Sequence, residues 1–153
     1  KRHMHIGVPG HGIVIAVPIK SFGGGKTLAF LNGETDNAAY TPSLNYAQEL
    51  IVAVCSQGCT DMVMNAARAA GARGGTVLHG KGTGAKGAPK FYNITIAQEK
   101  EMIMIVAAAS QKAAIMQSIL KKAGPDSKAG TIVFSLPTTH VAGFALLDNQ
   151  DET

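Results

Sequence analysis

Residues 80–87 read GKGTGAKG, a segment in which glycines lie next to two lysines. Glycine lets backbone N–H groups converge on a phosphate, and a lysine ammonium supplies positive charge. The pattern therefore predicts an anion-binding site. Its candidate residues are Lys81, Gly82, Thr83, Gly84 and Lys86. A loop that merely carries two solvated lysines has the same composition, so the pattern alone leaves both interpretations open.

A second segment with this chemistry is AGPDSKAG, at residues 123–130. Lys128 lies there between a predicted helix and a predicted strand, where its ammonium could reach a phosphate as a point charge. A lysine in an ordinary surface turn would look the same. The candidate residues of this segment are Gly124, Lys128, Ala129 and Gly130.

The stretch Gly25-Lys26-Thr27 resembles the end of a P-loop, a nucleotide-binding motif, but lacks two of its required features. A P-loop needs a glycine five residues before Gly25, where this sequence has Lys20, and it needs a helix directly afterwards. We interpret this stretch as a glycine-rich exit from a strand.

Cys55 and Cys59 flank the first predicted strand–helix turn. A thiol at a helix N-terminus can have a lowered pKa, so a redox pair is one interpretation. The spacing C-x-x-x-C is a weak signal, and strand alternation favours a core position for Cys55. No His or acidic cluster accompanies the pair, so we predict no metal site.

The sequence offers no catalytic constellation. There is no nucleophile–base pair, no spaced pair of acids and no G-x-S-x-G, so we predict that the protein is not an enzyme. His79 ends the second predicted strand beside the glycine-rich loop, where it either contacts a ligand or is simply a polar residue at the loop edge.

Hydrophobic patterning predicts the elements that must position these residues. Short apolar runs rich in β-branched residues indicate strands, while Thr60 and Ser110 indicate helix starts and Gly124-Pro125 indicates a helix stop. The predicted order is strand, helix, strand, strand, helix, strand, at residues 49–56, 60–71, 75–79, 101–108, 110–124 and 130–136. This is the split βαβ pattern, so we predict an α+β, ferredoxin-like fold with two helices on one face of an antiparallel sheet.

The third predicted strand is apolar on both faces, since Met102 and Met104 alternate with Ile103 and Ile105. Helices on one side cover only one of these faces. We therefore expect another copy of the module to cover the second face, within the chain or between chains.

An internal repeat predicts how the chain is divided. Residues 13–18 (IVIAVP) match residues 132–137 (IVFSLP), and the same shift brings Gly24 onto Gly143. We expect residues 1–30 to be the tail of a preceding ferredoxin-like module and the chain to begin partway through a longer one. We assign residues 31–47 to a linker, 48–147 to a complete module and 148–153 to a tail.

Composition excludes several classes of protein. Of the 153 residues, 46% are hydrophobic and 16% are charged, which argues against intrinsic disorder. A net charge of +4 is low for a nucleic-acid binder, and the third strand lacks the aromatics of RNA-reading sheets. No apolar run approaches about 18 residues and no signal peptide is recognisable. We expect a cytoplasmic protein that neither binds nucleic acid nor inserts into a membrane.

Residues 49–84 and 124–137 resemble the two halves of PII nitrogen-regulator proteins. The most specific part is Gly74-Gly75-Thr76-Val77, followed by Gly82-Thr83-Gly84, which is similar to the second strand of the family and the base of its ligand-sensing loop. The segment from Gly124 to Pro137 looks like the phosphate loop and fourth strand of the family. From its first residue to its last, 49 to 137, the likeness spans more than half of the chain.

The resemblance implies a homo-oligomer, most simply a trimer, that binds ATP, ADP or AMP in clefts and regulates an enzyme, a transporter or a transcription factor, as in nitrogen metabolism. Thr76, Gly82 and Gly84 then match nucleotide-contacting positions, and Gly124 and residues 128–130 match the phosphate loop. No cofactor is otherwise implied. The Arg-x-Arg expected after the fourth strand is absent, and residues 141–146 (VAGFAL) stand there. The alternative is therefore an oligomerisation module of this fold that binds no ligand.

Overall fold

The computed structural model describes residues 12–18, 45–83, 90–91, 94–95 and 98–143. The chain divides into two compact units, one of residues 46–137 and one of residues 1–45 with 138–153. In chain order the described elements are β1 (Val14–Ala16), β2 (Asn45–Ser56), α1 (Thr60–Arg68), β3 (Thr76–Gly82), β4 (Lys90–Phe91), β5 (Ile94–Thr95), β6 (Gln98–Ala108), α2 (Ala109–Ala123), β7 (Ile132–Thr138) and β8 (His140–Ala142).

The larger unit contains a four-stranded sheet with the strand order β3-β6-β2-β7. β6 runs antiparallel to both of its neighbours, β2 and β3. The helices α1 and α2 each connect two of these strands, as the split βαβ pattern requires. The predicted α+β, ferredoxin-like fold is therefore confirmed.

Strand alternation builds the core on one face of this sheet. Ile51 and Ile103 are fully buried there and pack in one cluster with Val63 of α1 and Ile115 of α2. Successive strand residues point to opposite faces, so the cluster contains alternate residues, 51, 53 and 55 of β2 and 103, 105 and 107 of β6. The helices are also joined directly, since the Ser118 hydroxyl donates a hydrogen bond of 2.7 Å to the Ala66 carbonyl.

The second face of the sheet is apolar, as predicted, and part of it is exposed. In register across three strands, Leu78 lies beside Met102, which lies beside Val54. Leu78 and Met102 are exposed, and so are Ile132 and Phe134 of β7. Toward the other end of this face, Leu50, Val52 and Val106 are buried.

The smaller unit contains a two-stranded antiparallel sheet in which β1 pairs with β8. Thr139 reinforces this pairing, because both its N–H and its hydroxyl donate to the Ala16 carbonyl. The prediction that residues 1–30 end a preceding module stays a prediction, since nothing in this arrangement tests it.

Two local predictions were wrong, each for a physical reason. Residues 80–82 continue β3 although they are glycine-rich, because ladder hydrogen bonds to β6 require no side chain. Ser110 lies inside α2, and Thr60 is the first residue of α1, preceded by Cys59, whose side chain makes no capping hydrogen bond. Neither predicted hydroxyl therefore caps its helix as the preceding residue. The predicted stop at Gly124 was correct, since α2 ends at Ala123.

Among the described residues, no helix is both long enough and apolar enough to cross a membrane.

The core cluster predicts that two apolar residues of α2 contribute very different amounts to the free energy of unfolding. Ile115→Ala removes a fully buried side chain and is expected to lower the free energy of unfolding by about 2–5 kcal/mol. Leu120→Ala on the same helix, where Leu120 is 46% exposed, is expected to cost roughly 0.5 kcal/mol or less. Urea denaturation measures both, and equal losses would contradict the assignment of the core.

Candidate functional site

Residues 80–83, the described part of the first glycine-containing segment, and the second segment, residues 123–130, lie at one end of the four-stranded sheet. β3 ends at Gly82, which pairs with Gln98 at the start of β6. β2 ends at Ser56, which pairs with Lys100 of β6. The Ser56 N–H donates a 2.9 Å hydrogen bond to the Ala129 carbonyl, so the segment before β7 lies at the same end. The strands β6 and β2 separate the two segments.

The Lys100 side chain lies between the two segments on the second face of the sheet, running from Gly82 of β3 toward Ser56 of β2. A Cβ atom placed on Gly82 would lie only 3.1 Å from the Lys100 Cγ, so the lysine stem runs beside Gly82. At its other end the ammonium donates a 3.3 Å hydrogen bond to the Ser56 hydroxyl. Among the described residues no carboxylate pairs with this ammonium. A half-buried positive charge without an acidic partner attracts anions.

The loop before β7 uses its backbone donors internally. The N–H groups of Ser127, Gly130 and Thr131 donate to the carbonyls of Gly124, Ser127 and Ala123, respectively. The Ala129 N–H donates to the Ser127 hydroxyl at 3.2 Å. These donors are therefore occupied, and the loop can offer an anion the exposed Lys128 side chain but not a cradle of these N–H groups.

Glycine serves this loop for structural reasons. A Cβ atom on Gly124 would collide with the Leu120 carbonyl oxygen at the end of α2. Gly130 has a φ of +54°, in the left-handed region that favours glycine. Both glycines are explained by the path of the chain whether or not a ligand binds.

Glu101 forms the best-defined polar cluster at this end of the sheet, on the helix face. Its buried carboxylate accepts hydrogen bonds from the N–H groups of Gly58 and Thr60, each at 3.1 Å, and from the Thr60 hydroxyl at 2.6 Å. The Thr60 hydroxyl and the Gly58 N–H hold the pKa of the Glu101 carboxyl below its ordinary value, against the effect of burial. The carboxylate thus caps the N-terminus of α1 from a neighbouring strand.

The other predicted residues are dispersed. Lys81 points away from Lys100, to the helix face, where it pairs with Glu99 at 3.8 Å on the surface. Thr76 begins β3, six residues from Gly82 and therefore roughly 20 Å away. Thr83 is exposed directly after β3. Gly84 and Lys86 lie outside the described residues.

A shallow cavity of about 230 Å³ lies at the C-terminal end of α2. It is lined by Leu120, Lys121, Gly124, Pro125, Asp126 and Ser127. The C-terminus of a helix carries partial negative charge, and the Asp126 carboxylate adds to it. An anion is therefore better accommodated on the Lys100 side of the loop.

The two cysteines are free thiols within the core. Burial raises the pKa of the Cys55 thiol to about 11, and the neighbouring Glu101 carboxylate works in the same direction. Cys59 is buried as well, with its Sγ 4.0 Å from the Lys128 carbonyl. The core position predicted for Cys55 is thus confirmed. Within the part of the chain that the structure describes, no three His, Cys, Asp or Glu side chains could hold a metal ion.

Sequence reasoning did not single out Lys100 or Glu101. The signal was present in the run Glu99-Lys100-Glu101, three charges at the start of an otherwise apolar strand. Alternation along the strand sends the lysine to one face and both glutamates to the other. His79 lies in register with Glu101 on β3 and is exposed at the edge of this cluster.

Comparison with known proteins adds three findings. Residues 48–144 match the family described as "Nitrogen regulatory protein P-II". A solved structure of Arabidopsis thaliana PII bound to citrate is 22% identical, covers 60% of this chain and 77% of that chain, and has a TM-score of 0.45. No curated protein matches the sequence.

The burial of both thiols predicts low reactivity. In the native protein at pH 8, Cys55 and Cys59 are expected to remain unmodified by iodoacetamide, because burial keeps the reagent from either sulfur and the raised pKa of Cys55 also disfavours its thiolate. Mass spectrometry checks this against the same chain in denaturant, where both should be alkylated. Native labelling as fast as that of the denatured chain would contradict the prediction.

Proposed function

This chain belongs to the nitrogen regulatory protein P-II family, and from that premise we propose that it is a regulatory protein that binds a nucleotide or a related anionic effector. Members of this family are signalling proteins rather than enzymes. The proposed effector is ATP, ADP or AMP. Binding would change how the protein engages a regulated enzyme, transporter or transcription factor, as in the control of nitrogen metabolism.

The observation that carries the proposal is the position of Lys100. Its stem lies beside Gly82 and its ammonium reaches Ser56, whose N–H holds Ala129 in place. One unpaired cation thus lies between the two segments that the sequence marks as candidates for phosphate binding. Lys128 adds a second positive charge at the same end.

The spacing of the strands favours an extended ligand. Gly82 and Gly130 lie on either side of β6 and β2, and three strand spacings of about 4.8 Å separate them by roughly 14 Å. A single phosphate cannot contact both segments of one module. A nucleotide whose phosphates lie near Lys100 could approach both, and so could a ligand shared with a neighbouring module or subunit.

We further propose that the protein is a homo-oligomer, most simply a trimer, and that it works in the cytoplasm. Support for assembly comes from Leu78, Met102, Ile132 and Phe134, which expose apolar surface on the second face of the sheet. An exposed patch of this kind marks an interaction surface. A second copy is the natural occupant, because the same face of its own sheet presents the same apolar side chains.

The alternative is an oligomerisation module of the same fold that binds no ligand. It is favoured by the loop before β7, whose backbone donors are satisfied internally, and by Val141-Ala142-Gly143 where the family carries Arg-x-Arg. The two functions differ in one measurable respect, because only the regulator binds a nucleotide.

Isothermal calorimetry with ATP, ADP, AMP and cyclic nucleotides tests the proposal. We expect one of them to bind, and Lys100→Gln to weaken its affinity about tenfold or more, because a charged hydrogen bond contributes about 1.5–3 kcal/mol. Lys122→Gln, an exposed lysine on α2, should leave the affinity unchanged. Absence of binding by every nucleotide would remove this function and favour the alternative.

Solution mass tests the proposed assembly. The wild-type chain is expected to run as a homo-oligomer in light scattering, and Phe134→Asp to lower its mass by placing a charge in an apolar interface. Leu120→Asp introduces the same charge on the helix face and should leave the mass unchanged. A monomeric wild-type protein would refute assembly through the second face.

A further inference from the structure

The N-terminus of α1 is closed by a carboxylate of the protein itself. A helix N-terminus is a favourable place for an anion, because free N–H groups and the helix dipole both attract negative charge. Here Glu101 of β6 occupies that place, accepting from Gly58 and Thr60. Gly58 has a φ of +78°, so the turn that presents these donors depends on glycine.

The same turn contacts the loop before β7. Cys59 lies between the two residues that Glu101 holds, and its Sγ is 4.0 Å from the Lys128 carbonyl. Ser56, just before the turn, donates its N–H to the Ala129 carbonyl at 2.9 Å. A displacement of residues 58–60 therefore shifts the groups against which residues 128 and 129 rest.

We propose that Glu101 is a positioning residue for the anion site. It holds the turn at residues 58–60 and, through the contacts of Cys59 and Ser56, the loop at residues 128–130, which carries Lys128 at the same end of the sheet as Lys100. The inference rests on the proposed function, because a positioning role presupposes a ligand at this end of the sheet. Glu101 itself does not touch that ligand, since its carboxylate lies on the helix face while Lys100 lies on the second face.

This arrangement also directs the ligand to one side of the sheet. The negative charge of Glu101 repels a second anion from the N-terminus of α1, whereas the unpaired ammonium of Lys100 attracts one on the second face. Adjacent residues of one strand thereby exclude the anion from one face and accept it on the other.

The test combines two measurements on full-length wild-type and Glu101→Gln protein. Amide hydrogen exchange of Ser56 and Gly130 reports the loop without any ligand, because their N–H groups donate to Ala129 and Ser127. Calorimetry with ATP reports the site. We expect Glu101→Gln to speed exchange at these two amides about tenfold and to weaken ATP binding by a similar factor, while the amides of Ile103 and Ile105 keep their protection.

Glu49→Gln is the matched control. It removes one carboxylate at the other end of the sheet, where Glu49 pairs with Lys112 at 2.8 Å. Exchange at Ser56 and Gly130 and the affinity for ATP should stay at wild-type values. Thr60→Ser keeps both donors to Glu101 and should behave like wild type, whereas Thr60→Val loses the hydroxyl donor and should show a smaller effect in the direction of Glu101→Gln.

The outcomes separate this inference from the function on which it rests. If wild type binds ATP and Glu101→Gln binds it equally well, or if loop exchange is unchanged, the positioning role is overturned and the proposed function stands. If wild type binds no nucleotide, the proposed function fails first, and faster loop exchange in Glu101→Gln then reflects a structural role only. If Glu101→Gln does not fold, Thr60→Val and Thr60→Ser replace it in the test. Equal loop exchange and equal affinity for ATP in these two variants would overturn the positioning role.

Discussion

The two-residue alternation of β6 is the constraint on which the rest of this molecule depends. One set of side chains, including Ile103 and Ile105, builds the core beneath the helices. The other set, including Met102, forms an apolar second face that is partly exposed. The same alternation separates Glu101 from Lys100 at the start of the strand, so that one charge completes the fold and the other remains available.

Among the described residues of the sheet, the carboxylates of Glu49, Glu99 and Glu101 each have a partner, whereas the ammonium of Lys100 has no acidic one. Glu101 is satisfied by three donors at the start of α1, and Glu99 and Glu49 each pair with a lysine. Lys100 lies beside the end of β3 and its ammonium reaches Ser56, which holds the loop before β7, so this end of the sheet attracts anions. The backbone N–H groups of this loop are occupied by internal hydrogen bonds. We therefore expect lysine side chains, rather than these N–H groups, to bind an anion.

Much of the architecture followed from local patterning. The apolar runs of β2 and β6 and the stop at Gly124 were predictable, because burial requires alternation in strands and Gly-Pro ends helices. Other features depended on long-range contacts. Residues 80–82 are strand because β6 pairs with them, and Thr60 bonds to Glu101, a residue distant in sequence that no local rule could name. The two glycine-containing segments were predictable as candidates, but their separation by two strands was not.

The ferredoxin-like order of elements, the resemblance to a family of regulators and the apolar character of both faces of the sheet could all be predicted from the sequence. The order of elements and the apolar faces follow from hydrophobic period, a property of neighbouring residues, whereas the family follows from the resemblance of motifs such as Gly74-Gly75-Thr76-Val77. Three features could not be predicted in this way: Lys100 lies between Gly82 and Ser56, Glu101 closes the N-terminus of α1, and Lys81 points to the opposite face from Lys100. Such facts depend on strand order and register, which bring together residues that are far apart along the chain.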